Sequence, residues 1–346
     1  MLPAFGLYTH IRANYVRSVF LMCTLFLLVY LLAYAGSLAA VALTRNWGLQ
    51  ALLIEAWYGF LRAFPFVTGG TLAWVAVGYF FNRQIIDAMI GGHSITRAEE
   101  PKLYNMLENL CISRGIRTPR LEILETDVPN AFATGVNQWQ YSVTLTRGLI
   151  NTLNDDEIEA VIAHELTHIR NGDVQMMVIA MVIAGVVAFV SEMIFRSIGN
   201  TSWRSSRNSG SSDDSGKGKG GAAAAIAIVL LIVAAAWVLS LLIRFALSRT
   251  REYLADAGAV ELTKNPDAMI SALRKIDGKS ELPTAPSGIM EMCIDNPREG
   301  FADLFSTHPP IESRIQALID YAGGHDVIIE DPKTRKRFKS PWSPAA

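Results

Sequence analysis

The sequence predicts a mainly helical membrane protein that carries a small α+β domain. Hydrophobic residues make up 51% of the 346 residues and charged residues only 18%, a more apolar composition than soluble proteins usually have. The apolar residues are concentrated in four long stretches without a central charge, as expected of helices that cross a bilayer. The segments between and after these stretches show helical and strand-like patterns, which predict a folded domain outside the membrane.

Residues 1–81 form the predicted N-terminal membrane region. Its first span runs from about residue 19 to 43 and carries no charge. Because this span is too long for a signal-peptide core and lacks a clear cleavage pattern, we expect the chain to retain it. The second predicted span, about 65–81, is shorter and contains Gly69 and Gly70.

A membrane hairpin is predicted between residues 174 and 247. Its two spans are 174–195 and 221–247, and the second is rich in Ala, Ile, Val and Leu. The connecting segment 196–220 is rich in Ser and Gly with mixed charge, which is typical of a flexible linker. Residues 326–346 include a run of Lys and Arg and form a predicted basic tail, either solvated or in contact with anionic lipid.

The domain outside the membrane is split by this hairpin into residues 82–173 and residues 248–325. The first part shows a helical pattern, three strand-like runs and a further helix. The second part is helical, and one of its helices begins at the pair Asn265 and Pro266. The predicted strands are residues 121–125, 129–136 and 141–146.

The last helix of the first part contains an H-E-x-x-H pattern formed by His164, Glu165 and His168. Residues four apart share one face of a helix, so both imidazoles can point at one metal ion while Glu165 lies beside it. Asn154 precedes three acidic residues and is a typical N-cap, and Gly172 fits the end of the helix. This context favours a zinc site with Glu165 as general base over an amphipathic helix with two histidines on its polar face.

A catalytic zinc ion usually has three protein ligands and one water. The third ligand is not the histidine of the extended H-E-x-x-H-x-x-G-x-x-H pattern, because Asn171 and Val174 stand where Gly and His are needed. The remaining option is a carboxylate from a second helix, and we choose Glu252. If the predicted hairpin forms, Glu252 and His168 return to the same level, since each lies about one and a half turns from the membrane.

Asp256 follows Glu252 by one helical turn, so both carboxylates share a face. Glu252 can then bind the metal while Asp256 holds the free ring nitrogen of a ligand histidine. Taken alone, this pair would fit a solvated acidic face of a helix equally well. Its position relative to the hairpin favours the metal site.

With these residues placed, the chain resembles the HtpX-type membrane zinc metallopeptidases, which are relatives of the CAAX prenyl protease. The resemblance covers residues 82–325 and implies a zincin-like (gluzincin) α+β metalloprotease domain with a small β-sheet, attached to about four transmembrane helices. It also implies one zinc ion per chain, bound by His164, His168 and Glu252, with Glu165 as general base. The matching segments are PNAFATG (129–135), HELTHIRNGD (164–173), REYLADAGA (251–259) and LFSTHPP (304–310) with Arg314 following.

The resemblance also implies roles for residues away from the metal. His308 resembles a cleft histidine that donates a hydrogen bond to the oxyanion, and Arg314 would support it. Because His308 precedes two prolines, a helix cap is the alternative for it. A strand of the first part resembles the edge strand against which an extended peptide substrate lies by β-augmentation. Its expected substrate-binding residues are Asn130, Ala131, Phe132, Ala133 and Gly135.

These features predict a membrane-bound zinc endopeptidase that cleaves membrane or misfolded proteins at the membrane surface. The resemblance implies a role in protein quality control and stress response, in a bacterial inner membrane with the catalytic segments in the cytoplasm. Positive charges at the span ends are nearly balanced, and the cationic segment 196–220 argues against placing that segment outside. The expected partners are polypeptide substrates and the lipid bilayer. A net charge of −1 gives no footprint for nucleic acid.

Three other functions fit parts of the sequence. An inactive membrane scaffold or adaptor could retain the metal site, but Glu165 is the residue it could lose most freely. A transporter is compatible with four spans, yet Glu192 and Arg244 lie near span ends rather than at the centre of a path. An intramembrane protease would need its metal helix inside an apolar segment, which the acidic residues at 155–159 exclude.

Overall fold

The structure, a computed structural model, describes residues 7–206, 216–245, 249–283, 285, 287–296 and 308–325. The predicted basic tail 326–346, the centre of the predicted linker and residues 304–307 of the LFSTHPP segment lie outside the described residues. In chain order the elements are α1 (Leu7–Thr44), α2 (Leu49–Ile90), β1 (His93–Ser94), α3 (Pro101–Arg114), β2 (Arg120–Leu124), β3 (Ala131–Thr134), β4 (Ser142–Thr146), α4 (Arg147–Thr152), α5 (Asp155–Asn171), α6 (Asp173–Ser206), α7 (Gly216–Phe245), α8 (Thr250–Thr263), α9 (Pro266–Ile276), α10 (Ser287–Met290) and α11 (Ile311–Ala322).

Among the described residues, four helices are long and apolar enough to cross a membrane: α1, α2, α6 and α7. α1 packs against the other three, and its buried side includes Leu25, Leu28 and Leu32. Large apolar side chains on the outside of the bundle, such as Phe20 and Phe66, are mostly exposed. Such a surface suits lipid rather than water.

Two predicted boundaries in the membrane helices differ from the structure. The predicted second span, 65–81, lies within the longer helix α2, which continues without a break through Pro65. Inside a bilayer no water can bond to the backbone groups of an interrupted helix, so interrupting a helix there is costly. Helices in membranes therefore continue through Pro and Gly. The segment 196–220 is helical at both ends, because α6 extends to Ser206 and α7 begins at Gly216.

The sheet has the strand order β1-β2-β4-β3. β2 and β4 are parallel, whereas β1 and β3 are antiparallel to their neighbours. This order leaves β3 at one edge of the sheet. Gly135 follows β3 with a φ of 114°, and a Cβ at this position would lie 2.8 Å from the carbonyl oxygen of Gln140. The turn after β3 therefore requires glycine.

α5 is the central helix of the domain outside the membrane and packs on α8, α9, α6 and β3. It begins with a capping box in which Asn154 Oδ1 accepts from Glu157 N and Glu157 Oε2 accepts from Asn154 N. α8 approaches it tightly at Gly258, where a Cβ would lie 2.8 Å from Thr167 Oγ1 and closer still to Cγ2. This contact brings the first turn of α8 beside the middle of α5.

Candidate metal centre

α5 and α8 bring His164, His168 and Glu252 together in the interior of the protein. The Nε2 atoms of the two histidines are 3.1 Å apart, and each lies 3.6 Å from Glu252 Oε2. Ligand atoms at about 2.0 Å from a tetrahedral zinc ion are about 3.3 Å from one another. All three side chains are buried. The arrangement therefore has the size of a single metal site, and it is the one such group found among the described residues.

The chemistry of these residues also fits a metal ion. Glu252 Oε2 is buried and has no hydrogen-bond partner among the described residues, a state that is costly for a carboxylate oxygen. A cation between Oε2 and the two imidazoles would remove this cost. Two imidazole nitrogens and one carboxylate oxygen form a donor set that divalent transition metals bind in proteins.

The outer nitrogen of His164 faces Asp256 and Arg314, in a close contact that lacks the angles of a hydrogen bond. Asp256 Oδ1 lies 2.9 Å from His164 Nδ1. Arg314 donates to the same carboxylate twice, from Nε to Oδ2 at 2.8 Å and from Nη2 to Oδ1 at 2.6 Å. Burial alone would raise the pKa of Asp256, but the Arg314 guanidinium holds it at about 2. The fixed anion turns His164 Nε2 toward the centre of the site.

Asp173 and Asn14 hold the outer nitrogen of His168. Asp173 Oδ2 lies 2.9 Å from His168 Nδ1, and Asn14 Nδ2 donates to Asp173 Oδ1 at 2.7 Å. Asp173 is the first residue of α6, and Asn14 lies in α1, so this support comes from membrane helices. Neither residue was among the sequence predictions. Asp173 could have been found, because it follows His168 by five residues, whereas Asn14 is 159 residues away from Asp173.

The pKa values of the Glu165 and Glu252 carboxylates are shifted in opposite directions. Burial raises the pKa of Glu165. Burial alone would also raise the pKa of Glu252, but His308 and His168 hold it well below its usual range. Glu252 is therefore an anion that can bind a cation, whereas Glu165 is a carboxyl group that can hold and release a proton.

Two further predicted site residues lie close to Glu252. His308 is buried, with its Nε2 3.7 Å from Glu252 Oε1. Arg314, which we expected to support His308, is buried behind the centre on Asp256, and its Nη1 lies 3.9 Å from Glu252 Oε2. Arg251, which was not predicted, donates from Nε to Glu252 Oε1 at 3.1 Å.

The strand predicted to bind substrate is β3, and part of its free edge is already paired. Ile294 N donates to the carbonyl oxygen of Ala131, and Phe132 forms an isolated bridge with Cys293. Backbone groups in an antiparallel pair alternate between the two sides of the strand. Ala133 therefore presents its backbone on the same side as Ala131, at the end of the bridge between Phe132 and Cys293.

Asn130, at the start of this strand, is fully buried. Its Nδ2 donates to the carbonyl oxygens of Ser280 at 2.7 Å and Asp295 at 3.2 Å. Asn130 thus fixes the segment that covers the first half of the edge. The second half, from Ala133 to Gly135, is the part that could pair with another chain.

The buried His-His-Glu centre with Glu165 beside it, on helices that continue into membrane-type helices, defines a metalloprotease of the H-E-x-x-H class. The family model of peptidase family M48 matches residues 97–322. The chain is 38% identical over 325 residues to a protease HtpX homolog of Bacteroides fragilis, covering 90% of this chain and 98% of that protein. It is 37% identical over 317 residues to a protease HtpX homolog of Listeria innocua, covering 90% and 99%.

The chain therefore belongs to peptidase family M48, and it is a multi-pass membrane metalloprotease. This confirms the predicted family and the predicted metalloprotease domain on four membrane helices. Membership implies a metal, for which the centre of His164, His168 and Glu252 is the candidate site. Among solved structures, the crystal structure of S. mikatae Ste24p is similar, with a TM-score of 0.41 and 20% identity. That similarity covers 76% of this chain and 58% of Ste24p.

Proposed function

We propose that this protein is a zinc-dependent endopeptidase that cleaves membrane or misfolded proteins at the membrane surface. The observation that carries the proposal is the position of Glu252 Oε2, 3.6 Å from both imidazole Nε2 atoms and without a hydrogen-bond partner among the described residues. His164, His168 and Glu252 would hold the ion. When bound, zinc supplies Lewis-acid chemistry that polarises a peptide carbonyl and makes water acidic enough to lose a proton near neutral pH.

Glu165 performs the proton transfers. Its buried carboxylate, with a raised pKa, accepts a proton from the attacking water and passes it to the leaving amine. His308 donates a hydrogen bond to the oxyanion. Asp256 and Arg314 act by holding the His164 ring, which is a positioning role.

The substrate binds as an added strand next to β3. Ala131 and Phe132 form the paired half of the edge together with Asn130, and Ala133 to Gly135 receive the peptide backbone. Only an extended, unfolded segment can pair in this way, which favours misfolded substrates. The turn between β3 and β4 contacts α2, because Gln140 Nε2 donates to the carbonyl oxygen of Tyr79 at 2.7 Å. The strand therefore lies close to the membrane helices, which favours substrates that emerge from the bilayer.

The proposed location is a bacterial inner membrane, with the metal centre on the cytoplasmic side and a role in quality control under stress. Bacterial relatives over nearly the whole chain support it. Because α6 and α7 form a hairpin, Ser206 and Gly216 then lie on the opposite side of the membrane from the metal centre, against the expectation from the positive charge of segment 196–220. A protease added to right-side-out vesicles of that membrane should cut at 207–215 and leave a tag at residue 346 intact. Protection of 207–215 would reverse the orientation.

Replacement of Glu165 by Gln tests the activity. We expect the Glu165→Gln variant to keep one zinc ion per chain and to lose at least about 100-fold in the rate of cleavage of an unfolded protein, because proton transfer contributes about 10²–10⁴-fold. Glu159→Gln, the same change on the same helix but away from the centre, should leave the rate unchanged. Cleavage by the Glu165 variant at the normal rate would exclude the proposed role.

A folded and an unfolded form of one substrate test its class. A disulfide-stabilised globular protein should resist cleavage, and its reduced and alkylated form should be cut, because only the latter offers an extended segment to β3. Chelation should stop the reaction, and added zinc should restore it. Equal cleavage of both forms would contradict the preference for misfolded proteins.

A further inference from the structure

We propose that Asn14, on the first membrane helix, is a positioning residue of the metal centre that acts on His168 through Asp173. The inference rests on the proposed role of His168 as a metal ligand. It links α1 to the metal centre directly, whereas no residue of α1 takes part in the site predicted from the sequence.

A continuous chain of hydrogen bonds joins the membrane helix α1 to the imidazole of His168. His168 Nδ1 lies 2.9 Å from Asp173 Oδ2, and Asp173 Oδ1 lies 2.7 Å from Asn14 Nδ2. Asp173 is fully buried and Asn14 is 1% exposed. Each oxygen of Asp173 thus has a partner, one on the ring and one on the amide. The amide fixes the plane of the carboxylate, and the carboxylate fixes the plane of the His168 ring.

Asn14 also holds the joint between α5 and α6. Its Nδ2 donates a second hydrogen bond, at 3.1 Å, to the carbonyl oxygen of Asn171, the last residue of α5. Carbonyl groups at the end of a helix lack partners within it. The orientation of the amide is consistent with both bonds, because Asn14 Oδ1 accepts from Arg17 Nη1 at 3.4 Å. One amide group therefore links the last residue of the metal-binding helix α5 to the first residue of the membrane helix α6.

Other polar contacts of α1 provide a comparison. Tyr30 Oη and Thr68 Oγ1 are 3.0 Å apart, and Ser37 Oγ donates to the carbonyl oxygen of Ala56 at 2.9 Å. Both contacts join α1 to α2, and neither involves a residue of the metal centre. A change at Tyr30 therefore reports the effect of losing a hydrogen bond between membrane helices, separate from any effect on His168.

The first experiment compares Asn14→Leu with Tyr30→Phe in the full-length protein in detergent. The apparent zinc dissociation constant is measured by competition with a chromogenic chelator, and the ligand geometry by the visible absorption of the Co²⁺-substituted protein. We expect Asn14→Leu to weaken zinc binding by about tenfold, the lower end of the range for outer partners of metal-binding histidines, and to alter the Co²⁺ spectrum. Tyr30→Phe should change neither.

A second experiment keeps the proposal testable if Asn14→Leu fails to fold. In Asp173→Asn, an amide that turns its oxygen to His168 Nδ1 presents its nitrogen to Asn14 Nδ2, so two donors meet there. In the double variant Asn14→Asp/Asp173→Asn the donor and the acceptor exchange places and the chain of hydrogen bonds is restored. We expect the double variant to bind zinc more tightly than Asp173→Asn alone. Additive losses in the double variant would overturn the proposal.

The proposal is also overturned if Asn14→Leu lowers the unfolding temperature but leaves zinc affinity and the Co²⁺ spectrum as in Tyr30→Phe, since Asn14 would then only stabilise the helix bundle. These measurements do not depend on peptidase activity. A failure of the proposed function, seen as cleavage by the Glu165 variant, therefore remains distinct from a failure of this inference.

Discussion

The two histidines of the metal centre are supported from different parts of the molecule. His164 is held by an ion pair, Asp256 with Arg314, that comes entirely from the segment after the membrane hairpin. His168 is held by a carboxylate and an amide, Asp173 with Asn14, that belong to two membrane helices. The metal centre is therefore assembled jointly by the outer domain and the helix bundle. The first support depends on a buried charge pair, which makes it the more costly one to break.

The largest effect should follow from breaking the ion pair on the His164 side. Arg314→Met leaves the Asp256 carboxylate buried without its cation, and we expect the free energy of unfolding to fall by about 3–5 kcal/mol. The matched control is Arg274→Met, which removes an exposed pair with Glu312 and should cost about 0–1 kcal/mol. Denaturant unfolding in detergent measures both. Equal losses in the two variants would show that the support of His164 is not special.

A smaller effect is expected where the two halves of the centre meet, at Gly258 on α8. In Gly258→Ala the new methyl group overlaps the Thr167 side chain, so α8 must move away from α5. We expect a loss of about 1–3 kcal/mol in unfolding free energy and weaker zinc binding, because Glu252 moves with α8.

Two variants control this prediction. Gly36→Ala in α1 meets no atom within 4 Å and should not weaken zinc binding. The double variant Gly258→Ala/Thr167→Ala removes the overlapping atoms and should regain most of the loss. If it does not, the close approach of α5 and α8 is not what places Glu252.

The smallest effect should come from Glu157, in the first turn of α5 and far from both histidines. Burial alone would raise the pKa of Glu157, but hydrogen bonds from Lys275, Ser271 and the Asn154 N–H hold it below its usual value. The folded-state pKa thus lies below the unfolded one, so this contribution to stability is present above the unfolded pKa and is lost as pH falls through the folded pKa. We expect Glu157→Gln to cost about 1 kcal/mol at pH 7.

Urea unfolding at pH 7 and pH 3 measures this difference, which should shrink at the lower pH. Zinc affinity at pH 7 should equal that of the unchanged protein, because neither support of the histidines is altered. A difference that stays constant with pH would mean that the Glu157 charge is not responsible. A change in zinc affinity would mean that the whole of α5, and not only its last turns, sets the ligand positions.

Features set by neighbouring residues could be predicted from the sequence. The Asn154 cap, the acidic first turn and Gly172 define α5 by local hydrogen bonding, and the structure has each of them. The meeting of Glu252 with the histidines could also be predicted, although they are far apart in the chain. A membrane hairpin returns its two ends to one level, so the predicted hairpin indicated that Glu252 lies near the histidines, which the periodicity of the helices alone could not.

Features that depend on distant contacts or on the solvent could not be predicted. Nothing near Asn14 indicates that its amide meets Asp173. α2 continues through Pro65 because the bilayer, and not the local sequence, decides whether a helix can end there. α4 and α10 are one or two turns long, which is too short for a helical period to show. The pairing of Ile294 with Ala131 lies in a segment without a strand pattern.

Glu252 Oε2 is buried and has no hydrogen bond among the described residues. An ion bound there would affect how long the protein stays folded in a cell. An ion that binds only the folded chain stabilises it by about 2.7 kcal/mol when its free concentration is 100 times the dissociation constant. Scarcity of the ion would therefore lower the abundance of this protein as well as the fraction of it that carries the ion. Transition-metal homeostasis and the amount of intact enzyme would rise and fall together.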